Sequence, residues 1–208
     1  MIAALYVQTA GCYFGLEGID PWDKARDARQ YAGPHPVVAH PPCERWGRYW
    51  HGGPSAKVRR VLGDDDGCFA AALASVRRWS GVLEHPEASH AWHRFGLNRP
   101  PRAGGWVQAD FEDGWTCCVE QGHYGHRARK ATWLYARGVT LPVLVWGPCS
   151  SRPRLDQGYH SAEERRQAPK REKHPRLTPQ ECEATPLPFR DLLLSIARGA
   201  VTSTAGTP

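Results

Sequence analysis

Two short segments of this chain share one layout, and it limits the fold more than any other feature. "PVVAH" (36–40) is an apolar, β-branched run closed by Pro41 and Pro42. "GVLEHP" (81–86) is an apolar run that reaches a carboxylate, Glu84, just before a proline. Runs of this length and composition, stopped by proline, read as buried strands. Between them, "DDDGCFAAALASVRRWS" (64–80) sets Phe69, Leu73 and Val76 at helical spacing. Its acids crowd the N-terminus, where the helix dipole favours them. Strand, helix, strand in that order predicts an α/β sheet layered by helices.

The rest of the chain extends the pattern. "AALYV" (3–7) reads as a buried strand, and "PWDKARDARQY" (21–31) as a short helix with Asp20 as N-cap and Pro21 in the first position. "TCCVEQ" (116–121), "ATWLYA" (131–136) and "LPVLVWG" (141–147) read as further strands, and "PFRDLLLSIARGA" (188–200) as a closing amphipathic helix. Beyond Ser150 the apolar content collapses. Arg152 to Arg176 holds eight basic and four acidic residues, a net +4. The expected organisation is one α/β domain from 1–149 and 176–200, a basic segment at 150–175, and a disordered tail at 201–208.

Charge and cysteine usage bound the setting. The formal net charge of +6 suits a polyanionic partner such as nucleic acid, and equally suits plain solubility. The opening "MIAALYVQTAGCY" has no basic leader, and no stretch approaches the roughly 18 apolar residues of a membrane span. Seven cysteines, an odd number, point to free thiols in a reducing, cytoplasmic compartment.

Ligands of α/β sheets sit at the carboxyl ends of strands, which is where Cys43 falls. Pro41 and Pro42 fix two φ angles before it, so the thiol has little backbone freedom. Arg45 and Arg48 would lower its pKa and favour the thiolate. These residues leave packing, metal binding and nucleophilic attack all open. Glu84 holds the matching slot on its own strand; partly buried it would act as an acid, and otherwise it is a capping or ion-paired carboxylate. Arg127, Arg129 and Lys130 enter the next strand together, suited to an anion, a carbonyl oxygen or a phosphate, or to an exposed edge. Cys117, Cys118, His123 and His126 do not match paired zinc-ligand spacing. Alternation in a strand sends the two cysteines to opposite faces, so no metal is expected.

Taken in order, these segments resemble the DNA cytosine-5 methyltransferases. "VVAHPPCERWG" is similar to that family's proline-proline-cysteine motif, with Cys43 at the position of its nucleophile. "GVLEHP" resembles its Glu-Asn-Val strand: Glu84 matches, and His85 and Pro86 replace the other two residues. "HYGHRARKATWLYA" is similar to the later motif of Tyr-Gly, basic residues and an apolar strand. "PRLTPQECEATP" with "LPFRDLLLSIA" looks like a compressed form of the closing motifs, which carry a Leu-Thr-x-x-Glu segment and a proline-bearing helix. "ALYVQTAGCYFGLEGID" is loosely similar to the glycine-rich opening motif.

The resemblance implies a Rossmann-like methyltransferase sheet with helices on both faces, a minimal recognition insert and a short phage-type origin. It implies S-adenosyl-L-methionine held by Tyr6, Gly11, Gly15, Asp20 and Pro41, and DNA as partner of a monomer. Cys43 would attack C6 of a flipped cytosine, protonated Glu84 would donate to N3, and Arg127 or Arg129 would bind the exocyclic oxygen. Arg45, Trp46, Arg48 and Lys130 would meet DNA near the nucleophile, with Trp46, Tyr49 and Trp50 stacking on bases or filling the gap left by the flipped one. Arg165, Arg166, Lys170 and Arg171 would track phosphates. Three other readings compete: a modifying enzyme for free pyrimidine nucleotides, a non-catalytic DNA-binding relative with an eroded cofactor site, and a zinc-stabilised nucleic-acid binder.

Overall fold

The computed structural model describes residues 1–52, 57–150, 162–167 and 177–200. The expected tail at 201–208 and most of the basic segment 150–175 lie outside the described residues. Seven strands form one sheet: β1 (Ile2–Leu5), β2 (Ile19–Trp22), β3 (Val37–Ala39), β4 (Gly81–Pro86), β5 (Val107–Gln108), β6 (Trp115–Glu120) and β7 (Ala131–Arg137). Their order is β2-β1-β3-β4-β7-β6-β5. β2, β1, β3 and β4 run parallel, while β7 is antiparallel to both β4 and β6.

Each strand alternates its side chains between two cores, as pleating requires. Ala3, Leu5, Val37, Ala39 and Leu83 face a layer built on Phe69, Leu73 and Val76 of helix α1 (Cys68–Trp79) and Trp92 of helix α2 (His90–Arg94). Ile2, Ala4, Val38 and Val82 face the other layer, where Phe189, Leu193, Leu194 and Ile196 project from helix α5 (Leu187–Arg198). Each fully buried side chain of this size contributes about 1.5–3 kcal/mol. Two shorter helices, α3 (Ala162–Gln167) and α4 (Pro179–Glu183), precede α5. No helix among the described residues is long and apolar enough to cross a membrane.

The α/β architecture, the strands near 37, 81, 116 and 131, and the long helices match the sequence reading. Two elements do not. The helix expected over 21–31 is replaced by strand β2, a turn and a 3-10 turn at Ala28–Gln30. Pro21 is tolerated there because β2 pairs only with β1, and an edge strand can spare an N–H. Residues 141–147 form no strand. They run as an irregular segment in which Leu144 is buried, Trp106 Nε1 donates to the Pro142 carbonyl, and the Val145 amide donates to Tyr124 Oη.

The β3–β4 contact rests on one glycine. Gly81 has φ of 127°, and a Cβ there would lie 2.0 Å from the Val37 carbonyl oxygen, a backbone atom that cannot turn aside. Gly81→Ala is therefore expected to lower unfolding stability by about 3 kcal/mol, read from urea denaturation, through combined overpacking and backbone strain.

Candidate active site

The parallel register pairs Val37 with Gly81, Val38 with Val82 and Ala39 with Leu83. One step further lies the pair His40 and Glu84, at the carboxyl ends of both strands. Both follow the parity of Val38 and Val82, so they emerge on the α5 side of the sheet, where Tyr13 is also buried. The ring carries a hydrogen bond at each nitrogen: His40 Nδ1 is 2.9 Å from Glu84 Oε1, and Nε2 is 2.8 Å from Tyr13 Oη. Sequence reasoning gave His40 no catalytic part. The layout that singled out Glu84 contains it, because His40 holds the same strand-end slot on β3.

Cys43 follows two residues after Pro41. Its carbonyl accepts the amides of Trp46 and Gly47, at 3.0 and 2.8 Å, which turns the chain sharply behind it. The residue is solvent-accessible, yet protein packs densely around the thiol. That surrounding mass pushes its pKa up, the Glu84 charge adds to the rise, and Lys130 opposes it. The expectation that Arg45 and Arg48 activate the thiol is thus corrected: the cation that counts is Lys130.

Glu84 lies in a site that disfavours charge, but the His40 hydrogen bond and the charges of His40, Lys130 and His85 outweigh this. Its carboxyl is held below the usual range. It rests as a carboxylate, not as the acid the sequence reading assumed. His85, the next residue, is fully buried with Nδ1 2.7 Å from Ser89 Oγ, and burial drops its pKa to about 4.

Lys130 takes φ of 43°, a left-handed conformation uncommon outside glycine, at the entry to β7. Its Nζ donates to the Ala184 carbonyl at 3.1 Å, and burial lowers its pKa against the pull of Glu84 and Cys43. Of the three basic residues Arg127, Arg129 and Lys130, it is Lys130 that is coupled to Cys43 and Glu84. Arg127 is exposed and ion-paired with Glu181 of α4. Glu181 also closes a capping box, its carboxylate accepting the Thr178 amide while its own amide donates to Thr178 Oγ1. Arg129 is exposed as well, without a side-chain partner among the described residues.

The residues assigned to DNA divide sharply. Trp46 is buried at 4 % exposure, packed against Phe69 and Phe95, and donates from Nε1 to Asp65 at 2.8 Å. It is a core residue, which corrects its expected role of stacking on bases. Arg48 and Tyr49 are exposed. Arg45 is half-buried, and its Nη1 is enclosed without a hydrogen-bond partner. Arg166 pairs with Glu163 on α3. The side chain of Arg165, and Lys170 and Arg171 entirely, lie outside the described residues. Cys117 and Cys118 do face opposite cores, as strand alternation predicted.

The chain passes from β1 outward to β2 and then to β3 on the other side, so the topological switch point falls between β1 and β3. Tyr6 ends β1 there with φ of 59° and a buried hydroxyl lacking a partner. Pro41 is buried beside the end of β3. Gly11 closes a turn, its amide 2.9 Å from the Gln8 carbonyl, and Gly15 has φ of 75° with open space around it. Asp20 already has partners of its own. It lies within β2, accepting Arg26 at 2.5 Å and Trp22 Nε1 at 2.7 Å. At the strand end, Asp23 is bound by Thr9 and by the amides of Ala25 and Arg26.

Comparison with protein-family models, curated proteins and solved structures gave no match to this chain.

The charges around Cys43 set its expected reactivity. Alkylation by iodoacetamide, followed by mass analysis of the Cys43 peptide, should show a pH midpoint above the ordinary thiol value of about 8.5. Glu84→Gln removes a negative neighbour and should lower that midpoint; Lys130→Met removes a positive one and should raise it.

Proposed function

We propose that this chain is a DNA cytosine C5-methyltransferase-like enzyme, joining a one-carbon group to a flipped cytosine through a covalent Cys43 adduct. The observation that carries the reading is the electrostatic coupling of an accessible Cys43, just after parallel strand β3, to Glu84 near the carboxyl end of parallel strand β4 and to Lys130 at the entry to antiparallel β7. A thiol, a carboxyl and a cation close enough to influence one another are what attack at C6 of a pyrimidine requires. The strand order, with reversed β7 between β4 and β6, supports a Rossmann-like methyltransferase sheet with helices on both faces.

In this reading the S–H bond of Cys43 breaks, its proton passing to solvent, as the sulfur bonds to C6. Glu84, a carboxylate at rest, takes up a proton and passes it to N3, drawing electron density out of the ring. Lys130 steadies the negative charge that develops beside Glu84 and Cys43. The orphaned Tyr6 hydroxyl, Pro41 and the turn around Gly11 and Gly15 fit a hydrogen-bonding ligand at the switch point, and would hold S-adenosyl-L-methionine there. That cofactor, when bound, supplies an electrophilic methyl group. The exposed cations Arg48 and Arg129 suit a phosphate backbone. The occupied carboxylates of Asp20 and Asp23 favour a second reading, a DNA-binding relative with an eroded cofactor site.

Mass analysis of nucleosides from DNA of expressing cells tests the proposal. The intact protein should yield a C5-substituted deoxycytidine, and Cys43→Ala none. Glu84→Gln should reduce the yield rate by about 10²–10⁴-fold, the usual share of general acid–base catalysis. Unaltered cytosine, together with no heat on titrating S-adenosyl-L-methionine to millimolar levels, would favour the eroded-site reading.

A further inference from the structure

Resting on the base-modifying reading, we infer that His40 is the positioning residue that stores and delivers the proton of Glu84, with Tyr13 holding its ring for both protonation states. The hydrogen bonds leave this assignment little freedom. An ionised Glu84 offers only acceptor oxygens, so His40 Nδ1 must carry a hydrogen toward Oε1. Nε2 faces a hydroxyl, which both donates and accepts. Neutral His40 accepts from the Tyr13 O–H; imidazolium donates to Tyr13 Oη. The ring therefore gains or loses a proton at Nε2 without losing a hydrogen bond.

Tyr13 suits this part because it is nearly fully buried, and burial holds its hydroxyl in the protonated form. The second oxygen of Glu84, Oε2, has no hydrogen-bond partner among the described residues, and the side chain retains 18 % exposure. One oxygen faces the reservoir, and the other is left for a ligand.

The proton transfer balances simply. The Nδ1–H bond of imidazolium His40 breaks as an O–H bond forms on Glu84, and His40 becomes neutral. Glu84 then gives a proton to pyrimidine N3. His40 is left with its hydrogen on Nε2, still donated to Tyr13 Oη, and a solvent proton taken up at Nδ1 restores the imidazolium. The groups that bias this pair come from every side: Cys12 in the opening loop, Cys43 after β3, His85 on β4, Lys130 before β7, and Arg190 and Asp191 on α5.

Two measurements test it, one of them independent of any reaction. Infrared difference spectra over pH should show the carbonyl band of protonated Glu84, assigned by its absence in Glu84→Gln. In His40→Gln the band should emerge at higher pH than in the intact protein, because the hydrogen bond and charge that stabilise the carboxylate are gone. An unmoved band would overturn the coupling, even if no modified base were ever found. The second readout is the rate of cytosine modification. If His40 supplies the proton, His40→Gln should lower kcat about 10²-fold with KM little changed, although Glu84 is then easier to protonate. A raised or unchanged kcat would sink the proposal, since His40 would then only be holding Glu84 ionised. Tyr13→Phe, which keeps the His40 ring, should slow kcat about tenfold; full activity there would likewise count against the pair.

Discussion

The close approach of β3 and β4 governs the rest of this structure. Gly81 lets the backbone of β4 lie against Val37 where any side chain would collide. That contact fixes the register, and the register places His40 next to Glu84. A slip of either strand by one residue would turn its own side chain to the opposite face and part the pair. The hydrogen-bonded row from Tyr13 through His40 to Glu84 is thus a consequence of strand packing.

The chemistry of the site is a contest between burial and charge. Surrounding protein opposes ionisation of Cys43, Glu84 and Lys130 alike. Neighbouring charges then decide each case. Glu84 has His40 and Lys130 and stays ionised. Cys43 has Glu84 on one side and Lys130 on the other, and keeps its proton at rest. A substrate that took up the negative charge of Glu84, or a proton placed on it, would ease the thiol toward thiolate. Cys43 and Glu84 are linked through one local field.

The sequence was most legible where one physical cause acted alone. Apolar periodicity marked the helices and the central strands, and alternation correctly separated Cys117 from Cys118. It misled where a tertiary partner overrode the local signal. Asp20-Pro21 reads as a helix start, yet β1 offers an edge that draws Ile19–Trp22 into the sheet. Trp46 reads as a surface aromatic in a polar loop, yet Asp65 satisfies its N–H and Phe69 and Phe95 enclose its ring. Arg127 reads as an anion binder, yet Glu181, 54 residues away, takes it.

By itself, the sequence determined that this chain builds an α/β sheet and that Cys43 and Glu84 stand at the carboxyl ends of two of its strands. Both follow from residue periodicity and from prolines that stop strands, which are local properties. Only the tertiary structure decided which neighbours those two residues meet. His40, Tyr13 and Lys130 reach them from β3, the opening loop and the entry to β7, segments far apart in the chain. Spacing within one segment carries no information about such meetings, because strand order and register bring them about.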